Sequence, residues 1–233
     1  HDPHLPVAYS ADAPSGKATA RQALLEETGL KADATTPVIA YVGRLSEQKG
    51  IDALLAAIED IVVLPAAVVV LGSGDTRLEP ELERAQARWP GRVQVILGFD
   101  EALAHRIYAG ADMLVMPSRF EPCGLAQLNA MRYGTIPVVH RTGGLAETVD
   151  DASEDALAQG RATGFQFDFD WVEPATVDEY GYPVAIKAEG GGGGRGTIVG
   201  IIVQDCSNIR HGREPRVRAV HSATGDRRGG TGE

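Results

Sequence analysis

Pro37-Val38-Ile39-Ala40-Tyr41-Val42-Gly43-Arg44-Leu45-Ser46-Glu47-Gln48-Lys49-Gly50-Ile51 is the stretch on which the fold turns. Five successive apolar residues, Val38 to Val42, stand between Pro37 and Gly43, the pattern of a strand buried on both faces. Ile51, Leu54, Leu55 and Ile58 then recur at i, i+3, i+4 and i+7, the apolar stripe of an amphipathic helix. A buried strand therefore feeds a helix through a loop bounded by glycines.

The alternation continues along the chain. A second apolar run at 67–71 ends in Gly72-Ser73-Gly74-Asp75, and Leu78, Leu82 and Ala85 stripe a second helix closed by Pro90-Gly91. Strands are expected at 93–97, 113–116 and 136–139, with helices at 101–109 and 124–133 and a shorter sixth strand at 164–167. Near-continuously apolar strands separated by single helices pair in parallel and are covered on both faces. The expected fold is α/β, a doubly wound (Rossmann-like) parallel sheet. In such sheets ligands bind beyond the carboxyl ends of the strands, which directs attention to the loops that follow them.

Composition narrows the function. Among 233 residues, 22 Lys and Arg face 32 Asp and Glu, a formal charge of −10. Phosphate backbones need positive faces, so nucleic acid is not an expected partner. The longest apolar run, 61–71, contains Pro65 and is far short of the ~18 residues a membrane span needs. No basic, apolar and small-residue succession marks a signal peptide, so a soluble, cytoplasmic protein is expected. Cys123 and Cys206 form neither a disulfide framework nor a metal-ligand spacing, and Asp75, Asp100 and Glu101 lack the spacing of a metal site. Neither a metal nor a cofactor is expected. Thirteen of the 28 glycines fall in 181–233, and the last 33 residues carry six arginines against four acids. This shift divides the chain into a folded domain, 1–170, and a Gly/Arg-rich tail, 171–233, expected to be poorly ordered or foreign to it.

Four loops carry the candidate chemistry. After the first strand, Arg44 can fork onto two phosphate oxygens and Lys49 supplies a mobile point charge, while Gly43 and Gly50 permit a tight turn. The pair suits a diphosphate; two solvated charges on a surface turn would look the same in sequence. After the fourth strand, Pro117-Ser118-Arg119-Phe120-Glu121-Pro122-Cys123-Gly124-Leu125 enters a helix whose first N–H groups favour phosphate. Glu121 suits sugar hydroxyls, or else stabilises its own helix as a first-turn acid. Cys123 has no thiolate-stabilising partner in view and reads as a small residue, not a nucleophile. After the fifth strand, Gly143 and Gly144 allow a close backbone approach to a ligand, as a plain turn would. After the third, Phe99 offers a ring for stacking on a base, or a hydrophobic plug. His105 lies on the polar side of its helix and reads as structural.

Taken together, Tyr41 to Gly50, Pro117 to Leu125 and Arg141-Thr142-Gly143-Gly144-Leu145 resemble bacterial glycogen synthase and plant starch synthase. Gly98-Phe99-Asp100-Glu101, His105-Arg106-Ile107, Gly110-Ala111-Asp112 and the entry segment through Ser15-Gly16-Lys17 fit the same family. The resemblance runs from about residue 2 to about 167. It implies a retaining glucosyltransferase that moves glucose from ADP-glucose to the non-reducing end of an α-1,4-glucan, and a chain forming the C-terminal, donor-binding half of a GT-B enzyme. Arg44, Lys49 and Glu121 would be its catalytic residues, the cations neutralising the departing diphosphate and the carboxylate holding the glucose. Gly43, Phe99, Cys123, Gly124, Leu125, Gly143 and Gly144 would bind the donor, with Phe99 where the family commonly stacks tyrosine on adenine. The partners implied are ADP-glucose, an α-glucan acceptor and an N-terminal GT-B domain, without which this chain is expected to be inactive. A plant protein of this kind would work in the plastid stroma.

Two departures from the family are expected to matter: the acceptor-side domain is absent, and the tail is unlike a synthase ending. Many relatives of this fold place a second glutamate eight positions after the first, where this chain has Asn129; the synthase subfamily often lacks that acid. The segment 180–196, with Lys187, five successive glycines and Arg195-Gly196, is similar to the ATP-grasp loop of biotin carboxylases. Alternative readings are thus a catalytically silent nucleotide-binding module, or a fragment of such a carboxylase.

Overall fold

Side chains that alternate along a strand point to opposite faces, and here both faces are apolar. The computed structural model describes residues 2–168. Strands β1 (Val38–Val42), β2 (Ala67–Gly72), β3 (Val93–Leu97), β4 (Met113–Met116), β5 (Ile136–His140) and β6 (Phe165–Phe167) form one sheet in the order β3-β2-β1-β4-β5-β6. Every pairing is parallel. The doubly wound architecture expected from the sequence is thus the one observed. The expected tail at 171–233, with Lys187, Arg195 and Cys206, lies outside the described residues.

Ile39, Tyr41, Val68 and Val70 face a core shared with α2 (Ile51–Val63) and α3 (Glu79–Arg88), into which Ile51, Leu54, Ile58 and Leu82 pack. Val38, Ala40, Val69, Leu71 and Leu114 face the other core, under α1 (Gly16–Thr28), α4 (Glu101–Gly110) and α5 (Ala126–Arg132). Each fully buried aliphatic side chain stabilises the fold by roughly 1.5–3 kcal/mol. Two short helices, α6 (Gly143–Thr148) and α7 (Glu154–Ala158), complete the chain to β6.

Helix α1 carries no apolar stripe in the sequence. Its buried positions are Gly16, Ala20, Leu24 and Thr28, one residue in four, and two of them are glycine and threonine. It packs closely because α4 ends in Gly110, where a Cβ would lie 2.8 Å from Leu24 Cβ and 2.9 Å from the Ala20 carbonyl. Lys17 fastens the contact: its Nζ donates to the carbonyls of Ala109 (3.0 Å), Ala111 (3.0 Å) and Tyr133 (3.2 Å) and to Thr135 Oγ1 (2.9 Å). These include carbonyls that the end of α4 leaves without an intrahelical partner. Ahead of α1, Asp2 accepts from the Tyr133 hydroxyl and lies 2.7 Å from His105 Nδ1, so His105 is structural, as expected. Burial alone would raise the Asp2 pKa, but the hydrogen bonds from Tyr133, His105 and the His4 amide outweigh it and hold it at about 2.

Two outcomes follow for stability. Gly110→Ala sets a methyl against the α1 backbone and should cost about 1–3 kcal/mol in denaturant unfolding. Asp2 is held below its ordinary value of 3.8, so its contribution is complete above that pH and is lost as pH falls towards about 2. Acid titration should release the N-terminal segment in that window, seen as lost amide protection around Asp2 and Tyr133, and Asp2→Asn should remove the pH dependence.

Candidate functional site

The strand order reverses between β1 and β4. Their chains leave toward helices on opposite faces, which opens a crevice at the carboxyl ends of these two strands. Both charged loops singled out from the sequence are rooted there.

The loop after β1 first continues alongside β2. The Gly43 amide donates to the Leu71 carbonyl at 3.0 Å, Leu45 N–H to Ser73 at 3.0 Å, and Asp75 N–H to the Leu45 carbonyl at 2.7 Å. Leu45 is fully buried, and its neighbour Arg44 turns the other way, into solvent. The Tyr41 hydroxyl donates to the Arg44 carbonyl at 2.7 Å. Burial, and secondarily the charge of Glu121, push this hydroxyl above the ordinary tyrosine range, so it stays a donor. The Arg44 guanidinium has no hydrogen-bond or ion-pair partner among the described residues. A 3-10 turn, Glu47–Lys49, then leads to Gly50 at φ +73°. A Cβ at Gly50 would overlap the Pro117 carbonyl, so only glycine lets the two loops meet.

Where they meet, they are tied. The Arg119 amide donates to the Gln48 carbonyl at 2.9 Å, and the Arg119 guanidinium forks onto Asp52 of α2 at 2.7 and 2.6 Å. Lys49 Nζ is ion-paired with Glu121 Oε2, and Ser118 Oγ donates to the same oxygen at 3.4 Å. Glu121 is only 6% exposed. Of the two sequence readings for Glu121, the first-turn acid fails: α5 starts at Ala126, five residues later. The reading of Lys49 as a solvated charge fails with it, whereas Arg44 is exposed.

Helix α5 also begins two residues later than the expected 124. Gly124 adopts φ +71°, which no α-helix accommodates, so Cys123, Gly124 and Leu125 form a loop leading into the helix. Gly143 and Gly144 open α6 and approach this loop's backbone. Gly144 N–H donates to the Glu121 carbonyl at 2.9 Å, and Cβ atoms at the two glycines would overlap the carbonyls of Glu121 and Cys123. The ring at Phe99, held at the rim by Gly98 N–H bonding Gly72 at 2.9 Å, is 90% exposed, which excludes a plug. Among the described residues, no three His, Cys, Asp or Glu side chains are grouped to hold a metal.

Sequence reasoning gave no role to Ser118, His140, Asp52 or Gln127. His140 Nδ1 donates to the Ser118 carbonyl at 2.7 Å from a buried position, steadying the turn before Glu121. Gln127, fully buried, binds the carbonyls of Cys123 and Gly124. A glutamine three positions before Ala130, the other buried residue of α5, is the signal the sequence carries for it.

A doubly wound parallel sheet with a lysine–glutamate pair clasped at its switch point places its charged loops where ligands bind in open α/β sheets. The chain belongs to the family of glycosyl transferases group 1, whose model matches residues 26–168. It is 50% identical over 167 residues to glycogen synthase 1 of Methylococcus capsulatus, covering 72% of this chain and 34% of that protein. Against the glycogen synthase of Roseobacter denitrificans it is 48% identical over 183 residues, 78% of this chain and 37% of the relative. The catalytic domain of starch synthase IV from Arabidopsis thaliana, in a structure bound to ADP and acarbose, superposes with a TM-score of 0.68 at 37% identity, over 72% of this chain and 35% of that one. The chain thus spans about a third of the length of the relatives it matches.

Replacing Gly50 by Ala should separate the two loops. A cost on the order of 1–3 kcal/mol is expected by chemical denaturation. Gly160→Ala, at φ +65° but with open space around it, should lose only the backbone cost of ~1 kcal/mol. Equal losses at both positions would remove the case for a glycine-dependent clasp.

Proposed function

We propose that this chain is the donor-binding half of a retaining glucosyltransferase that moves glucose from ADP-glucose to the non-reducing end of an α-1,4-glucan. The carrying observation is the Lys49–Glu121 pair at the switch between β1 and β4, with Arg44 exposed on the same loop. Identity near 50% with glycogen synthases over 167 to 183 residues supports it, as does ADP in the starch synthase structure of the same fold. A cytoplasmic setting and a second GT-B domain carrying the acceptor side belong to the same reading.

The chemistry is electrostatic. As the glucosyl–phosphate bond breaks, positive charge grows on the sugar and negative charge on the diphosphate. Arg44 and Lys49, with the amides of Cys123, Gly124 and Leu125, bind the departing diphosphate more tightly than the intact donor and so lower the barrier. Glu121, an acceptor only, accepts hydrogen bonds from hydroxyls of the glucose and keeps the ring in place while the bond breaks. Phe99 stacks on the adenine. Gly43, Gly143 and Gly144 keep the backbones close enough for these groups to converge.

Calorimetric titration of the purified chain with ADP and ADP-glucose tests this. Saturable binding is expected, weakened by ~1.5–3 kcal/mol in Arg44→Ala or Lys49→Ala, the worth of a charged hydrogen bond. Glu121→Gln releases Lys49 from its ion pair, so ADP should bind as well as before or better, while the added affinity from the glucosyl group disappears. Parallel losses for ADP and ADP-glucose would show that the carboxylate does not face the sugar.

A further inference from the structure

Gln127 is fully buried, yet its side-chain oxygen has no hydrogen-bond partner among the described residues. Its nitrogen has three: the carbonyls of Cys123 (3.0 Å) and Gly124 (3.2 Å), and Thr148 Oγ1 (3.0 Å). The hydroxyl of Thr148 spends its proton on the Gly144 carbonyl at 2.5 Å, so it meets Gln127 as an acceptor. Turning the amide over would set oxygen against three acceptors, which fixes the orientation. A buried acceptor left unpaired costs stability, and such a cost in a packed site marks a constraint other than packing.

The constraint is visible in the loop. In a trans peptide the C=O and the following N–H point in opposite directions. With the carbonyls of Cys123 and Gly124 both drawn inward to Gln127, the amides of Gly124 and Leu125 must face outward. Neither donates to any described residue, and Gly124 at φ +71° lets successive amides converge into a concavity suited to an anion. The unpaired Gln127 oxygen lies 2.5 Å from where a Cβ on Gly124 would stand, so glycine at this position leaves Gln127 room beneath the loop.

We infer that Gln127 is the positioning residue of this amide cradle: by holding two carbonyls inward it aims two N–H groups at a diphosphate. The inference rests on the donor-site reading above. It assigns to a buried side chain, remote from solvent, control over anion affinity.

Two variants test it, each read as ADP affinity of the chain relative to the unaltered chain at the same pH. Gln127→Met keeps length and volume but donates nothing; affinity should fall roughly tenfold or more while thermal unfolding confirms a folded chain. Gln127→Glu should bind poorly near pH 8, where its carboxylate repels both carbonyls. It should recover as pH falls and the carboxyl gains a proton to donate to Cys123. A side chain serving only to fill space would give no such pH-dependent rescue. ADP affinity unchanged in Gln127→Met, or a deficit in Gln127→Glu that does not vary with pH, overturns the inference. If Gln127→Met does not fold, the pH profile of Gln127→Glu decides alone. Failure of the unaltered chain to bind ADP overturns the donor reading together with this inference; intact binding with indifferent variants overturns only this one.

Discussion

Two loops that belong to opposite faces of a sheet can share a site only if their backbones touch near the strand ends, and at Gly50 they do. Strands β1 and β4 are neighbours, about 4.8 Å apart, and their chains diverge at once toward α2 on one side and α5 on the other. Gly50 immediately precedes α2, and Pro117 immediately follows β4. Absence of a side chain at Gly50 allows the Pro117 carbonyl to occupy what would be Cβ space. Once that contact exists, the Arg119–Gln48 hydrogen bond, the Arg119–Asp52 fork and the Lys49–Glu121 pair are all within reach. Widening the gap by the thickness of a methyl group would strain each of these ties.

The charges at the clasp are not interchangeable. Glu121 is buried, and a carboxylate out of water is strongly disfavoured unless a cation compensates it. Lys49 supplies that charge, and its partly exposed ammonium stands between the carboxylate and the open crevice. Arg44 stands on the same loop with its guanidinium exposed, its carbonyl pinned by Tyr41. The pair balances the carboxylate, and the arginine leaves the site positive. Removing either cation therefore changes a different quantity: Lys49 the compensation of a buried acid, Arg44 the net field at the mouth.

What the sequence revealed follows from the same physics. Parallel strands buried on both faces appear as uninterrupted apolar runs, so all six were legible to within a residue or so, and with them the loops that matter. Helix α1 was not, because close packing against Gly110 selects small residues where a stripe of large ones would be read. The sequence pattern starts α5 at 124, two residues early, because glycine there serves a left-handed turn that looks like part of the helix in sequence alone. Residue types at the site were visible one loop at a time, but Lys49 and Glu121 are 72 positions apart and no local pattern announces their contact. Resemblance to a family implied their roles, but the solvated reading of Lys49 and the first-turn reading of Glu121 yield only to the fold, which brings the two together.

The order of the strand ends gives the donor reading its last support. From one edge of the sheet inward, Phe99 follows β3, Arg44 and Lys49 follow β1, and Glu121 follows β4, with only β2 between the first two. Three strand spacings separate the ring from the carboxylate, roughly 15 Å. A nucleotide sugar is bonded in the sequence base, diphosphate, hexose. Laid along these strand ends it meets a stacking surface, two cations with outward amides, and a hydroxyl acceptor in that same sequence. A reversed ligand would set its diphosphate no nearer the cations but would bring the base to a buried, ion-paired carboxylate and the sugar to a bare ring. Under the proposed donor reading, direction along the crevice follows from which strand carries which side chain.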